Sequence, residues 1–101
     1  MRNFGFRKRK IKVLGKEVLC LSLRLGERNL VVLRAPKGYI MCGYLDLSIA
    51  EQFKDVAVKI KGVSTIEEAL QGLVDSCSSA AKGLGIRRGQ AVKEALRLLS
   101  S

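Results

Sequence analysis

Apolar and polar positions alternate over residues 9–14 and again over 17–25, a period of two that predicts two β-strands around Gly15-Lys16. A two-residue Gly-X loop there would pair Leu14 with Glu17 and set Lys10 and Lys12 opposite Leu21 and Leu19. Bringing Ile11 and Val13 beside Leu19, Leu21 and Leu23 instead needs an odd-length loop or a bulge, because a one-residue slip exchanges the faces of a strand. That irregularity is the expectation, with Lys10, Lys12, Cys20, Ser22 and Arg24 sharing the outer face. Asn29 to Arg34 is apolar on both faces and reads as a central strand. Ala35-Pro36-Lys37-Gly38 suits a type I turn, and Tyr39 to Cys42 makes a fourth strand that stops at Gly43. Asp46 fits the N-cap of a short helix through Phe53, and Val56, Val58 and Ile60 alternate with Ala57, Lys59 and Lys61 as a fifth strand.

The rest of the chain changes period. Ser64-x-x-Glu67 has the form of a capping box, followed by Ile66, Ala69, Leu70, Leu73 and Val74 as one helical stripe, with Gly72 a candidate break. Ser76 then starts another turn, with Cys77, Ala80, Ala81 and Leu84 as a narrow face of mostly small residues and Gly85 at its C′ position. A last helix from about Gly89 to Leu99 turns Val92, Ala95, Leu96 and Leu99 inward. The chain therefore reads as a single α+β domain over residues 1–101, with residues 1–8 as a basic arm. Its sheet has about five strands, mostly antiparallel, packed by three or four helices in the order β-β-β-β-α-β-α-α-α.

Composition narrows the chemistry. The 101 residues include no histidine, which removes Ser-His-Asp and Cys-His catalysis and the commonest metal ligand. Cys20, Cys42 and Cys77 are odd in number and widely spaced, so neither a redox pair nor a metal site is signalled, and no cofactor is implied. Without a secretory h-region or an apolar run long enough to span a bilayer, free thiols point to the cytoplasm and to no membrane partner. The net charge of +10 favours an anionic partner, yet it is unevenly placed. Residues 1–16 carry seven of the 19 basic residues and none of the 9 acidic ones.

Three segments could carry function, each with a plainer structural explanation. Tyr39, Cys42, Gly43 and Asp46 put a thiol, a bare glycine and a carboxylate at a strand end before a helix, a candidate ligand site with Cys42 and Asp46 as its candidate catalytic groups. The plainer reading makes Cys42 a small core residue and Asp46 a cap. Arg87 and Arg88, just before the last helix, could clamp an anion, or could be solvated or paired with Asp75 or Glu94. Arg7, Lys8, Arg9, Lys10 and Lys12, with Phe4 and Phe6 available to stack on bases, could bind nucleic acid, or could guard an edge strand.

Lys37-Gly38-Tyr39-Ile40-Met41-Cys42-Gly43 followed by Leu45-Asp46 resembles the central motif of the YunC-like proteins, small prokaryotic proteins built on domain of unknown function 1805. Gly62-Val63-x-Thr65-Ile66-Glu67, Ala80-Ala81, Leu84-Gly85-Ile86-x-x-Gly89 and Glu94-Ala95-Leu96 are similar in the same order, over about residues 30–99. The resemblance implies one intracellular α+β domain with a site around Cys42, Gly43 and Asp46, and it supplies no substrate. Two function classes follow: a ligand or interface site at Tyr39–Asp46, open to thiol chemistry, or a nucleic-acid module on the basic N-terminal strand. Whether the chain is an enzyme is left open. A homodimer would extend the limited core that so short a chain can bury.

Overall fold

The computed structural model describes residues 5–101. Strands β1 (Arg7–Val13) and β2 (Lys16–Leu25) pair antiparallel with Val13 opposite Lys16 and Ile11 opposite Val18. The expected bulge is not there. A two-residue loop at Leu14-Gly15 closes the hairpin, with φ of 54° and 79°, the left-handed pair of a type I′ turn. The leucines of β2 are accordingly not its core residues. Val18, Cys20 and Ser22 are buried, while Leu19, Leu21 and Leu23 share the opposite face with Lys10 and Lys12. Helix α2 (Ile66–Leu70) packs over β2 and β3 (Arg28–Arg34) on the core side, where small Cys20 and Ser22 leave it room.

Leu14 holds a left-handed φ without glycine's freedom, at 56% exposure. Such a conformation costs a side-chain-bearing residue about 1–2 kcal/mol, and asparagine tolerates it best. Leu14→Asn, giving Asn-Gly at the loop, is expected to raise stability by about 0.5–1 kcal/mol in urea unfolding. A loss of stability would show that Leu14 makes a contact outweighing its backbone strain.

Strand β4 (Tyr39–Met41) follows β3 antiparallel, and β5 (Ala57–Lys59) pairs with β4 in parallel, joined through α1 (Leu47–Gln52). A sixth strand absent from the sequence reading, β6 (Ser76–Cys77), closes the far edge, so the sheet runs β1-β2-β3-β4-β5-β6. Cys20, Leu33, Ile40, Val58 and Cys77 stand in one register line across β2–β6, with Arg9 at the β1 end. Fully buried members such as Leu33 and Ile40 contribute roughly 1.5–3 kcal/mol each by leaving water. Helices α2, α3 (Ser79–Gly83) and α4 (Val92–Ser100) belong to this side.

Several boundaries move for local reasons. Thr65, not Ser64, caps α2: its Oγ1 accepts the Glu68 N–H at 3.0 Å, and Glu68 Oε1 accepts the Ser64 N–H at 2.7 Å. The stripe stops at Leu70, and Leu73 is 62% exposed, because Gly72–Val74 pairs with Gly89–Val92 through backbone hydrogen bonds. The same pairing delays α4 to Val92. Gly85 does end α3: at φ +95° it lets Ile86 N–H reach Ala81 O and its own N–H reach Lys82 O, a Schellman closure. On the opposite face α1 packs on β5, and Leu45, Ala50 and Ala57 form a second small core with Tyr39, Met41 and Leu47. No helix among the described residues is long and apolar enough to cross a membrane.

Candidate ligand site

The parallel step between β4 and β5 sets two carboxyl ends side by side, the crevice where open α/β sheets tend to hold ligands. The chain leaves β4 as Cys42-Gly43-Tyr44 and β5 as Ile60-Lys61-Gly62, and Ile60 N–H donates to Met41 O at 2.9 Å. A cavity of about 410 Å³ opens between them. Arg28 and Asn29 at the start of β3, with Val63 and Ser64, make its other wall. Asn29 Nδ2 donates to Ser64 O at 2.7 Å and ties that wall together.

Cys42 belongs to the buried end of the cavity, 3% exposed. Its Sγ accepts the Val31 N–H at 3.3 Å and points its own hydrogen toward Asn29 O at 3.8 Å. Gly43 and Gly62 present bare backbone: a Cβ added to either would meet nothing within 4 Å. Gly62 also needs its φ of +74°, which favours glycine. Arg28 and Lys61 supply positive charge, Lys61 Nζ lying 3.7 Å from Asp75 Oδ2. The half-exposed ring of Tyr44 adds an aromatic edge. Among the described residues no group of three histidine, cysteine or acidic side chains is placed to hold a metal ion.

The other residues singled out from the sequence lie elsewhere. Tyr39 sits at the opposite end of β4, where its hydroxyl donates to Asp55 Oδ2 at 2.8 Å; burial, then this bond, pushes its pKa up to about 12. Asp46 caps α1, its Oδ1 accepting from Ser48 Oγ at 2.6 Å and from the Ser48 N–H at 3.0 Å, and these bonds hold its carboxyl below the usual range. Arg87 and Arg88 are exposed in the turn before α4, separated from its first residue by Gly89-Gln90-Ala91. The basic strand splits by face. Arg7 and Arg9 reach Glu67 of α2 at 3.3 and 3.4 Å, while Lys8, Lys10 and Lys12 point to the other side. Phe4 lies outside the described residues, and Phe6 is 46% exposed. Burial raises the thiols of Cys20 and Cys77, which line the core.

Arg28, Asn29, Lys61 and Ser64 were not anticipated from sequence. The signal available was Gly62-Val63, a piece of the family resemblance that the parallel strands bring beside Cys42-Gly43.

Comparison with known proteins agrees with this architecture. Residues 41–99 match the family model described as Domain of unknown function (DUF1805). The uncharacterized protein YunC of Bacillus subtilis is 34% identical over 90 residues, covering 85% of this chain and 89% of YunC. The crystal structure of TA1206, a protein of unknown function from Thermoplasma acidophilum, superposes with a TM-score of 0.92 at 28% identity, over 99% of this chain and 98% of that one. By sequence match and coverage, the chain belongs to the DUF1805 family.

Proposed function

We propose that this chain is a small-anion-binding domain whose site is the cavity at the carboxyl ends of β4 and β5. The observation that carries the reading is the meeting of two cations, Arg28 and Lys61, with open glycine backbone at Gly43 and Gly62 around one cavity. Cations neutralise the ligand, and bare backbone lets it approach main-chain groups closely, as anion sites require. Cys42 serves as a fixed wall of the site, held between two backbone groups of β3. The chain has no histidine to act as its base, so the reading is binding rather than thiol catalysis. Three free, buried cysteines suit a reducing compartment.

Inorganic phosphate, pyrophosphate and acetate are the first probes, read by thermal unfolding. A ligand present at tenfold its Kd adds about 1.4 kcal/mol of stability, and a domain of this size gains roughly 4–8 °C in Tm per kcal/mol. At least one probe is expected to raise Tm on this scale in the wild type and not in an Arg28→Ala, Lys61→Ala double variant. Equal shifts in both proteins, or none in the wild type with any of the three, would overturn the reading.

A further inference from the structure

The cavity at the ends of β4 and β5 has more lining than a bare anion needs. At about 410 Å³ it falls in the range of pockets that hold whole organic ligands. A phosphate group uses cations and a few N–H donors. Cys42, Val63 and the ring of Tyr44 add apolar and aromatic surface that such a group leaves uncovered. Tyr44 is held there by the backbone. The Leu45 N–H donates to Cys42 O at 3.0 Å and closes a turn with Gly43 and Tyr44 at its tip, and Asp46 then caps α1. Because β4 lies between β3 and β5, this turn leaves the sheet between Arg28-Asn29 on one side and Lys61-Gly62 on the other. The Tyr44 ring is 50% exposed. An open aromatic face on the rim of a cationic cavity suits an anion that carries a flat ring of its own.

The polar groups of the lining residues match both halves of such a ligand. The backbone N–H groups of Gly43, Tyr44, Gly62 and Val63 make no hydrogen bond among the described residues, which leaves main-chain donors on both strand ends for an anion. Asn29 supplies the opposite polarity. Its Nδ2 donates to Ser64 O, which fixes the way the amide faces and keeps Oδ1 as a free acceptor among the described residues. The exocyclic amino group of adenine or cytosine is a donor of the kind that acceptor takes.

We infer that the cavity takes a free nucleoside monophosphate, its phosphate held by Arg28, Lys61 and the open glycine backbone, its base stacked on Tyr44. The inference rests on the anion site proposed above and adds the ring to it. Charge and free N–H groups account for the phosphate; the size of the cavity, the Tyr44 face and the Asn29 acceptor account for the base.

Titration calorimetry on the full chain compares adenosine 5′-monophosphate with ribose 5-phosphate, which carries the same charge and no base. The wild type is expected to bind the nucleotide roughly tenfold tighter, the contribution of one base stacked on one aromatic ring. Tyr44→Ala, at a half-exposed position, is expected to bring the nucleotide down to the affinity of ribose 5-phosphate and to leave ribose 5-phosphate unchanged. Tyr44→Phe, which keeps the face, should preserve the wild-type ratio. Equal affinities in the wild type, or a Tyr44→Ala variant that binds the nucleotide unchanged, overturn the inference and leave the anion site standing. Binding of neither ligand while inorganic phosphate still raises Tm does the same; if inorganic anions fail as well, both readings fall. A 5′-phosphorylated oligoadenylate that binds more tightly than the mononucleotide would give the site to a nucleic-acid end and overturn its assignment to a free nucleotide.

Discussion

Ser78→Ala is expected to cost about 2–4 kcal/mol of stability, although it removes one oxygen atom. Ser78 is 1% exposed, and its hydroxyl joins three backbone groups from two parts of the fold. Oγ accepts the Ala57 N–H at 3.0 Å and the Ala81 N–H at 3.3 Å, and donates to Asp55 O at 2.7 Å. The substitution removes the cap of α3 and strands the buried Ala57 N–H at the start of β5. A cap contributes about 1 kcal/mol, and each buried group left unpaired costs about 1–3 kcal/mol. Ser100 is the control. It is also fully buried, but its Oγ has no hydrogen-bond partner among the described residues, so Ser100→Ala should be neutral or slightly stabilising. Urea midpoints at unchanged m-value compare the two variants directly. Equal losses in both would show that the Ser78 hydroxyl is not what joins β5 to α3.

Gly38→Ala is the second large effect. A Cβ on Gly38 would collide with Val56 O and lie 2.7 Å from Val56 Cβ, a contact with main chain that no rotamer relieves. The β4 start must move away from residue 56, straining the Tyr39 N–H to Val56 O bond of 3.0 Å and the Ala35 N–H to Gly38 O bond of 2.8 Å. Overpacking of this kind costs about 1–3 kcal/mol, and backbone contact places it at the upper end. Gly43→Ala, with open space around the added methyl, is expected to stay within about 0.5 kcal/mol of wild type. If the two alanines unfold at the same urea concentration, the close approach at Val56 is not a constraint on the fold.

Element type was legible where one period dominated, as in β5 and the inward face of α4, or where a cap marked a helix start, as Asp46 does for α1. It failed where a choice depended on partners far along the chain. Nothing local says that Cys20 and Ser22 face the core and Leu19 and Leu21 do not; both sets alternate, and α2, packed over the Cys20 side, decides between them. The sixth strand is two residues long, and Leu73 fits a helical stripe that Gly72 and the 89–92 segment pull apart. At the site, Cys42 and Gly43 stood out because strand, thiol and glycine are adjacent in sequence. Arg28 and Lys61 did not, since only the parallel pairing of β4 with β5 brings them near. Asp46 showed its chemistry correctly as a cap, while its nearness in sequence to Cys42 did not place it in the cavity.

That parallel pairing also orders the assembly of the chain. Strands β1 to β4 join through loops of two to four residues, so each hairpin closes at small entropic cost. Joining β5 to β4 instead requires residues 42–56 to cross over with α1 in place, and β6 can add only after β5. The cavity walls, Cys42 and Lys61, are thus joined by a longer-range pairing than any within β1 to β4. A molecule bound across that seam would touch the ends of both strands, so its binding free energy would add to the pairing of β5 with β4.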